Sequence, residues 1–272
     1  MTSPQPVTNE AFAKFKARRA SDVKYGVNIL IYGQGGVGKS SFAATAADSP
    51  YGSPCLFLDA EGGSRAIAHR DDITVIDIKT WLELEDFTKV AGKALELPWK
   101  TVVMDNCSEF INLLTKQVVG TDESAPTQPQ WGKMAMEFLS FIRDWRNIGT
   151  RTGTNIVFIA WDDEEKDEIG RSKHQLQMTP KLKREIPGMV DIIGFMSVNE
   201  KSGTEYRRII DFAPSSKTVS KFRRSQTEAA LEIPYRIEYG LKDSPLADML
   251  AVLKGGEKWP SEKYAKYSKS RE

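Results

Sequence analysis

The stretch VNILIYGQGGVGKS, residues 27–40, decides the architecture of this 272-residue chain. It opens with the apolar, β-branched run 27–32, which predicts a strand buried on both faces, as in a parallel sheet. A glycine-rich turn follows, and residues 39–47 after it predict a helix. A strand, a glycine turn and a helix in this order favour an α/β fold whose turn binds phosphate at the helix N-terminus.

The turn fits the pattern G-x-x-x-x-G-K-[ST] in full. Its glycines allow backbone N–H groups to point inward at phosphate oxygens. In this pattern Lys39 reaches the β- and γ-phosphates, and the Ser40 hydroxyl ligates Mg²⁺. ATP with Mg²⁺ is therefore the expected ligand. The expected nucleotide-binding residues are Gly33, Gln34, Gly35, Gly36, Val37, Gly38, Lys39, Ser40 and Ser41.

A site of this kind needs an acidic residue at the end of another buried strand. Asp105 closes the run 101–104 (TVVM) and fits the role of holding Mg²⁺ through water. An aspartate that caps the next helix would explain the same residue without a metal. Asp59 and Asp77 also end apolar runs, so the pattern alone leaves the choice open.

Hydrolysis needs a further carboxylate that orients the attacking water. Glu61, in the run DAEGG at 59–63, lies just past a strand end, at the sheet edge where ligands of open α/β sheets bind. The same carboxylate could instead stabilise the N-terminus of the next helix. Sequence chemistry alone does not separate these two roles.

The remaining pattern predicts a parallel sheet flanked by helices, with an antiparallel C-terminal extension. Amphipathic segments separate the apolar runs, which lie at 55–59, 73–78, 101–105 and 155–160. Thr80 with Glu83, and Asn106 with Glu109, predict the starts of two of the helices. Later runs, joined by short polar turns, lie at 190–198, 205–212 and 217–223. The expected divisions are an N-terminal segment 1–23 with a short basic helix, a core 24–240, and a C-terminal helix with a flexible tail 241–272.

Composition sets few limits on partners. The net charge is +1, from 38 basic and 37 acidic residues, so a DNA partner would need a local basic surface. Cys55 and Cys107 adjoin apolar runs and are expected to be buried free thiols, and His69 and His174 lie too far apart for a structural metal. No apolar run reaches the ~18–20 residues of a membrane span, which favours a cytoplasmic protein without a membrane partner.

Several segments together resemble one family. These are the glycine turn, LFLDAEGG, KTVVMDN, WGKM and SKFRRS. Across roughly residues 27–236 they resemble the phage RecA-like single-strand annealing ATPases, relatives of RecA and RadA. The resemblance implies a RecA-like P-loop NTPase core in which Glu61 is the catalytic base. It also implies a DNA-stimulated ATPase that anneals or exchanges single-stranded DNA in the host cytoplasm, as an oligomer or filament, alongside a single-strand binding protein.

The resemblance also gives a meaning to Lys221 and Arg223. They alternate on the predicted strand 217–223, so both side chains would project from one face. In the family, a basic pair at a similar place reaches the γ-phosphate held by a neighbouring copy, where a cation stabilises developing charge. A solvated edge strand that uses cations to discourage aggregation explains the pair equally well.

The chain departs from RecA after its fourth core strand. RecA has a polar amide there that couples the γ-phosphate to DNA, whereas this chain has Ala160, Trp161 and Asp162. We therefore expect that Trp161 or Asp162 takes over the role, or that coupling between ATP and DNA differs.

Two segments are candidates for DNA contact, 119–130 and 162–178, with a short basic cluster at Lys181, Lys183 and Arg184. The tail offers stacking faces and cations of the kind that single-strand binders use, at Trp259, Tyr264 and Tyr267. Solvated surface and a disordered charged tail are the plain alternatives.

Two other functions compete with the recombination ATPase. One is a nucleotide-gated mediator or loader that hydrolyses little ATP. The other is a small-molecule kinase, which usually carries an arginine-rich lid after a core helix. Residues 119–130 contain no arginine, which argues against the kinase.

Overall fold

The computed structural model describes residues 25–120, 125–166, 170, 172–199, 207–224 and 227–268. Within these residues ten strands form one sheet. The strands are Asn28–Gly33 (β1), Cys55–Asp59 (β2), Ile73–Asp77 (β3), Thr101–Asp105 (β4), Asn155–Lys166 (β5), Ser172–Leu176 (β6), Ile192–Asn199 (β7), Arg207–Asp211 (β8), Lys221–Phe222 (β9) and Arg236–Tyr239 (β10).

The sheet has the order β10-β8-β7-β1-β5-β4-β2-β3, with β6 paired to β5 and β9 paired to β7. Strands β7, β1, β5, β4, β2 and β3 run parallel to one another. Strands β8 and β10 add antiparallel pairs at one edge. The predicted fold class, a parallel α/β sheet with an antiparallel extension, is confirmed.

Helices cover both faces of this sheet. They are Lys39–Ala44 (α1), Trp81–Lys93 (α2), Cys107–Val119 (α3), Gln128–Thr152 (α4), Pro180–Met189 (α5), Glu228–Glu232 (α6), Pro245–Gly255 (α7) and Ser261–Ser268 (α8). Among the described helices, none combines the length and the apolar character needed to cross a bilayer. The predicted basic helix at residues 10–20 lies outside the described residues.

Alternate residues of each central strand point to two separate cores. In β1, Ile29 and Ile31 pack with α1, α7 and α8, whereas Leu30 and Tyr32 pack with α2, α3, α4 and α5. A strand buried on both faces needs apolar side chains at every position, which is why these strands are continuous apolar runs. Cys55 and Cys107 are buried free thiols, as predicted.

The helix starts that follow the strands are set by local capping. Thr80 and Glu83 form a capping box at α2, each satisfying a backbone N–H of the other. The Asn106 side chain accepts a 2.9 Å hydrogen bond from the N–H of Glu109 at the start of α3. Both predicted starts are confirmed, and the second fixes Asn106 at the carboxyl end of β4.

The segment after residue 160 differs from the prediction. β5 continues beyond the predicted strand 155–160 through Lys166 and pairs with β6, so most of the described residues of 162–178 lie in a two-stranded hairpin. The acidic run in it is held by Lys183, whose Nζ lies 2.6 Å from an Asp163 carboxylate oxygen and 2.8 Å from one of Glu165. Lys183 is therefore neutralised within the protein. The predicted strand 217–223 shrinks to the two residues of β9.

The prediction of a flexible tail is wrong for residues 255–268. Trp259, Tyr264 and Tyr267 are buried against the α1 face of the sheet, and the first two rings stack at 4.9 Å. The hydroxyls of the two tyrosines donate to Asp248 and Asp243. These aromatic rings hold α8 to the core, so they are not available to stack on DNA bases.

Candidate nucleotide site

The glycine turn lies between the last residue of β1, Gly33, and the first residue of α1, Lys39. Gly36 and Gly38 have φ values of 77° and 96°, in the left-handed region that glycine adopts without strain. Residues 34–36 are exposed, so the turn is open to a ligand at the helix N-terminus. The predicted strand–turn–helix unit is therefore present.

Lys39 is buried beneath this turn. Its Nζ donates hydrogen bonds of 2.8 Å to the backbone carbonyl oxygens of Gly33 and Gln34. Burial lowers the pKa of the Lys39 ammonium, and the nearby Glu61 and Asp105 carboxylates oppose that shift. The ammonium thus stands between the phosphate-binding turn and the acidic strand ends.

Asp59 is committed to shaping the loop that follows β2. Its carboxylate accepts four backbone N–H bonds, of 2.7–3.2 Å, from Glu61, Gly62, Gly63 and Ser64. Burial raises the pKa of Asp59, but these hydrogen bonds outweigh it and leave the pKa below its ordinary value. Both carboxylate oxygens of Asp59 are thus engaged by the backbone of its own loop.

Asp105 has the opposite surroundings. It is 1% exposed, and neither carboxylate oxygen has a hydrogen-bond partner among the described residues. Burial raises its pKa to about 6, although the nearby Ser40 hydroxyl works against that rise. A buried carboxylate without partners is costly unless a cation or a donor satisfies it.

Asp105 and Ser40 point to one place. A methyl group built on Gly63 would lie 2.7 Å from Asp105 Oδ2 and 3.1 Å from Ser40 Oγ. A carboxylate and a hydroxyl that converge in this way suit Mg²⁺, which prefers oxygen ligands and keeps several of its waters. Asp77, the third strand-end aspartate, is exposed at the sheet edge, where it lies 3.8 Å from Lys79. Of the three, Asp105 is the one whose surroundings fit the metal.

Replacing Asp105 with asparagine should separate metal binding from stability. We expect the gain in ATP affinity that Mg²⁺ confers to fall about tenfold, while the melting temperature of the nucleotide-free protein does not fall, because an unpaired buried charge is removed. Nucleotide titration with and without Mg²⁺, together with thermal denaturation, would test both. Asp77→Asn is the matched control and should leave both unchanged. An unaltered Mg²⁺ dependence in Asp105→Asn would contradict the assignment.

Glu61 is held at both carboxylate oxygens. The Asn106 amide donates to Oε2, and the Trp161 indole Nε1 donates to Oε1 at 3.3 Å. The turn after Glu61 is capped by Asp59, so the alternative role for Glu61 at that N-terminus belongs to Asp59 instead. The carboxylate is thus fixed in orientation near Lys39 and Asp105, and its role as the base stays a prediction.

Asn106 is the site residue that sequence reasoning missed. It was expected only as a helix cap, and it performs that task through Oδ1 while its amide nitrogen serves Glu61. Trp161 was one of two candidates for the missing amide. The other, Asp162, instead pairs with His174 Nδ1 at 2.6 Å within the hairpin. Glu61 thus accepts one hydrogen bond from Asn106, directly after β4, and one from Trp161, in β5.

Lys221 and Arg223 are not near the glycine turn of their own chain. β9 pairs with the first residues of β7, which are aligned with the first residues of β1. It therefore lies at the amino-terminal ends of the parallel strands, whereas Gly33 lies at the carboxyl end of β1. Lys221 Nζ donates to the carbonyl oxygens of Pro187 and Val190 at 2.8 and 2.7 Å, at the end of α5. Arg223 is 66% exposed and lies 3.8 Å from Asp191. Their role towards a neighbouring copy stays a prediction.

The fold and this site define a P-loop nucleotide-binding protein. A buried strand, a glycine turn, Lys39 and Ser40 lie in sequence, and a buried carboxylate from a second parallel strand faces them. The chain matches the AAA domain family over residues 25–224 and belongs to that family.

Among solved structures, the crystal structure of the RadB recombinase matches with a TM-score of 0.49 and 12% sequence identity, covering 82% of this chain and 90% of that chain. No curated protein sequence matches.

Proposed function

We propose that this protein is an ATPase that acts on single-stranded DNA. The observation that carries the ATPase part is Glu61, whose carboxylate is fixed by Asn106 and Trp161 in the site that also contains Lys39 and Asp105. A site that only bound nucleotide would not need a carboxylate held at both oxygens.

Each residue has a role in this proposal. The N–H groups of the glycine turn and the Lys39 ammonium bind the phosphates. Ser40 and Asp105 would hold Mg²⁺, which supplies positive charge to the phosphate oxygens when it is bound. Glu61 orients a water molecule and accepts its proton as the water oxygen attacks the γ-phosphorus of ATP and the bond from that phosphorus to the oxygen leaving with ADP breaks. The Asn106 and Trp161 donors keep the Glu61 carboxylate facing the site.

A cavity near the hairpin supports the DNA part. It has a volume of about 780 Å³ and lies between residues of both segments that were predicted to contact DNA. Gln128 and the adjoining Trp131 line one side, and Gln177 and Met178 line the other. Trp131 is 36% exposed, and its ring offers a face on which a base could stack. Lys181 adds a positive charge to the lining, and the Asp163 carboxylate, which also lines the cavity, is paired with Lys183.

A short chain of contacts joins this cavity to Glu61. The Gln177 N–H donates to the Trp161 carbonyl oxygen at 2.9 Å, and the Trp161 indole donates to Glu61. The Ser108 hydroxyl accepts a 3.1 Å bond from the Trp161 N–H and fixes the same residue. Movement of Gln177 on DNA binding would therefore shift a donor of Glu61. This gives a physical route by which DNA could stimulate turnover.

The biological act that we propose is DNA recombination by annealing or strand exchange, in an oligomer or filament. The sequence resemblance to the RecA-like annealing ATPases supports this part of the proposal, since three of the segments that carry it, the glycine turn, LFLDAEGG and KTVVMDN, form the site. In an oligomer, the exposed Arg223 could contact a phosphate of the nucleotide that a second copy binds.

The test compares ATP turnover with and without single-stranded DNA at low salt. We expect DNA to stimulate the wild-type chain. Trp131→Ala should weaken DNA binding about 5- to 150-fold, because stacking of a base on an aromatic ring contributes ~1–3 kcal/mol. Met136, an exposed apolar residue of the same helix, gives the matched control Met136→Ala. Absence of DNA binding by the ATP-loaded wild-type protein would refute the DNA part.

A further inference from the structure

Arg208 of β8 reaches the glycine turn from the antiparallel edge of the sheet. Its Nε donates a 3.2 Å hydrogen bond to the carbonyl oxygen of Val37, and the side chain is partly buried. This contact joins residues 171 positions apart in the chain. The guanidinium therefore lies beside the turn that binds phosphate, in the same molecule.

Gly38 makes room for this guanidinium. A Cβ atom built on Gly38 would lie 2.2 Å from Arg208 Nε and 3.0 Å from Arg208 Cζ. The group thus fills the space that a side chain would occupy at the residue directly before Lys39. Gly38 has a second reason to be glycine here, besides its positive φ.

The charge of Arg208 is not neutralised by the described part of the chain. No described carboxylate forms an ion pair with it, and its one hydrogen bond there uses Nε, which leaves both terminal amino groups for a ligand. Tyr239 lies opposite Arg208 on β10, and burial raises the pKa of its phenol, so it stays neutral. A partly buried cation without an anion is unfavourable.

We propose that Arg208 binds the phosphates of the nucleotide held by the glycine turn, in cis and together with Lys39. A guanidinium has planar donors that match phosphate oxygens, and it keeps its charge when partly buried. The proposal rests on the nucleotide-binding function proposed above and adds a residue that the motif does not contain. It differs from the predicted role of Arg223, which needs a second copy.

The test is the affinity of Arg208→Gln for ATP, ADP and AMP, measured by competition with a fluorescent nucleotide. We expect ATP and ADP to bind about ten- to a hundredfold more weakly, as for a lost charge-assisted phosphate contact. The wild-type affinity for ATP should also fall more steeply with salt than that of the variant. Arg236→Gln, a change on the adjacent strand β10, is the control and should bind as the wild type does.

A second variant separates charge from loop anchoring. Arg208→Lys keeps the charge but loses the Nε bond to Val37 and the planar donors, so we expect its ATP affinity to lie between those of the wild type and Arg208→Gln. A folded lysine variant that binds ATP no better than Arg208→Gln would overturn the proposal, as would Arg208→Gln with wild-type affinity. If the wild-type chain bound no nucleotide, the proposed function itself would fail instead.

Discussion

Replacing Lys39 with alanine is expected to weaken MgATP binding by about 30- to 1000-fold, the largest effect on affinity of any single change in this protein. The side chain supplies a buried positive charge at the turn, and loss of such a contact to phosphate costs about 2–4 kcal/mol. Isothermal titration of the wild-type and variant proteins with MgATP would measure it.

The nucleotide-free Lys39→Ala protein should remain folded. Among the described residues the ammonium donates hydrogen bonds only to the Gly33 and Gln34 carbonyl oxygens, and burial lowers its pKa. We therefore expect a change in unfolding free energy of no more than about 1 kcal/mol. Lys89→Ala, at an exposed lysine of α2, is the matched control for affinity. If Lys39→Ala bound MgATP with the wild-type affinity, the assignment of the nucleotide site would be wrong.

Replacing Glu61 with glutamine is expected to lower ATP turnover by about 10²–10⁴-fold while ATP binding changes only a few-fold. An amide has nearly the shape of the carboxylate but cannot accept the proton of the attacking water. The variant also puts an amide group beside the Asn106 and Trp161 donors, so one of these contacts is lost. Steady-state phosphate release, with nucleotide affinity measured separately, distinguishes the two effects.

The same variant discriminates between hydrolysis and nucleotide gating. Glu96→Gln, at an exposed glutamate, controls for the loss of a surface charge. If Glu61→Gln leaves turnover and DNA function untouched, Glu61 is not the base, and a mediator that only binds nucleotide becomes the better account. If turnover falls but DNA binding in the presence of ATP persists, hydrolysis follows binding rather than permitting it.

The sequence predicted those parts of the site whose structure depends on a few residues next to one another in the chain. The glycine turn, the helix after it and the caps at Thr80 and Asn106 depend on a few neighbouring residues, and all were predicted correctly. The two-sided burial of the central strands could also be predicted, because it demands continuous apolar runs.

Contacts between distant strands could not be predicted from the sequence in the same way. Asp59 and Asp105 both end buried strands, and only the chain path after Asp59 turns four N–H groups onto its carboxylate. Arg208 enters through the register of β8, which leaves no local signal. Trp161 was a candidate only through the resemblance to RecA, which did not separate it from Asp162.

The prediction of a flexible C-terminal tail was wrong for a different reason. Its lysines surround Trp259, Tyr264 and Tyr267, so the composition resembles a charged tail, but the tyrosines are three residues apart and lie on one helical face. Their buried hydroxyls pair with aspartates of the preceding segment. Sequence composition alone does not distinguish such a docked helix from a loose one.

The candidate nucleotide site is assembled from the carboxyl ends of β1, β2, β4 and β5, which are neighbours in the sheet but distant in the chain. No fragment that lacks one of these strands can contain the complete site. Ligand occupancy therefore reports on the integrity of the whole parallel sheet, and a ligand that binds only the folded form shifts the folding equilibrium of all four strands at once.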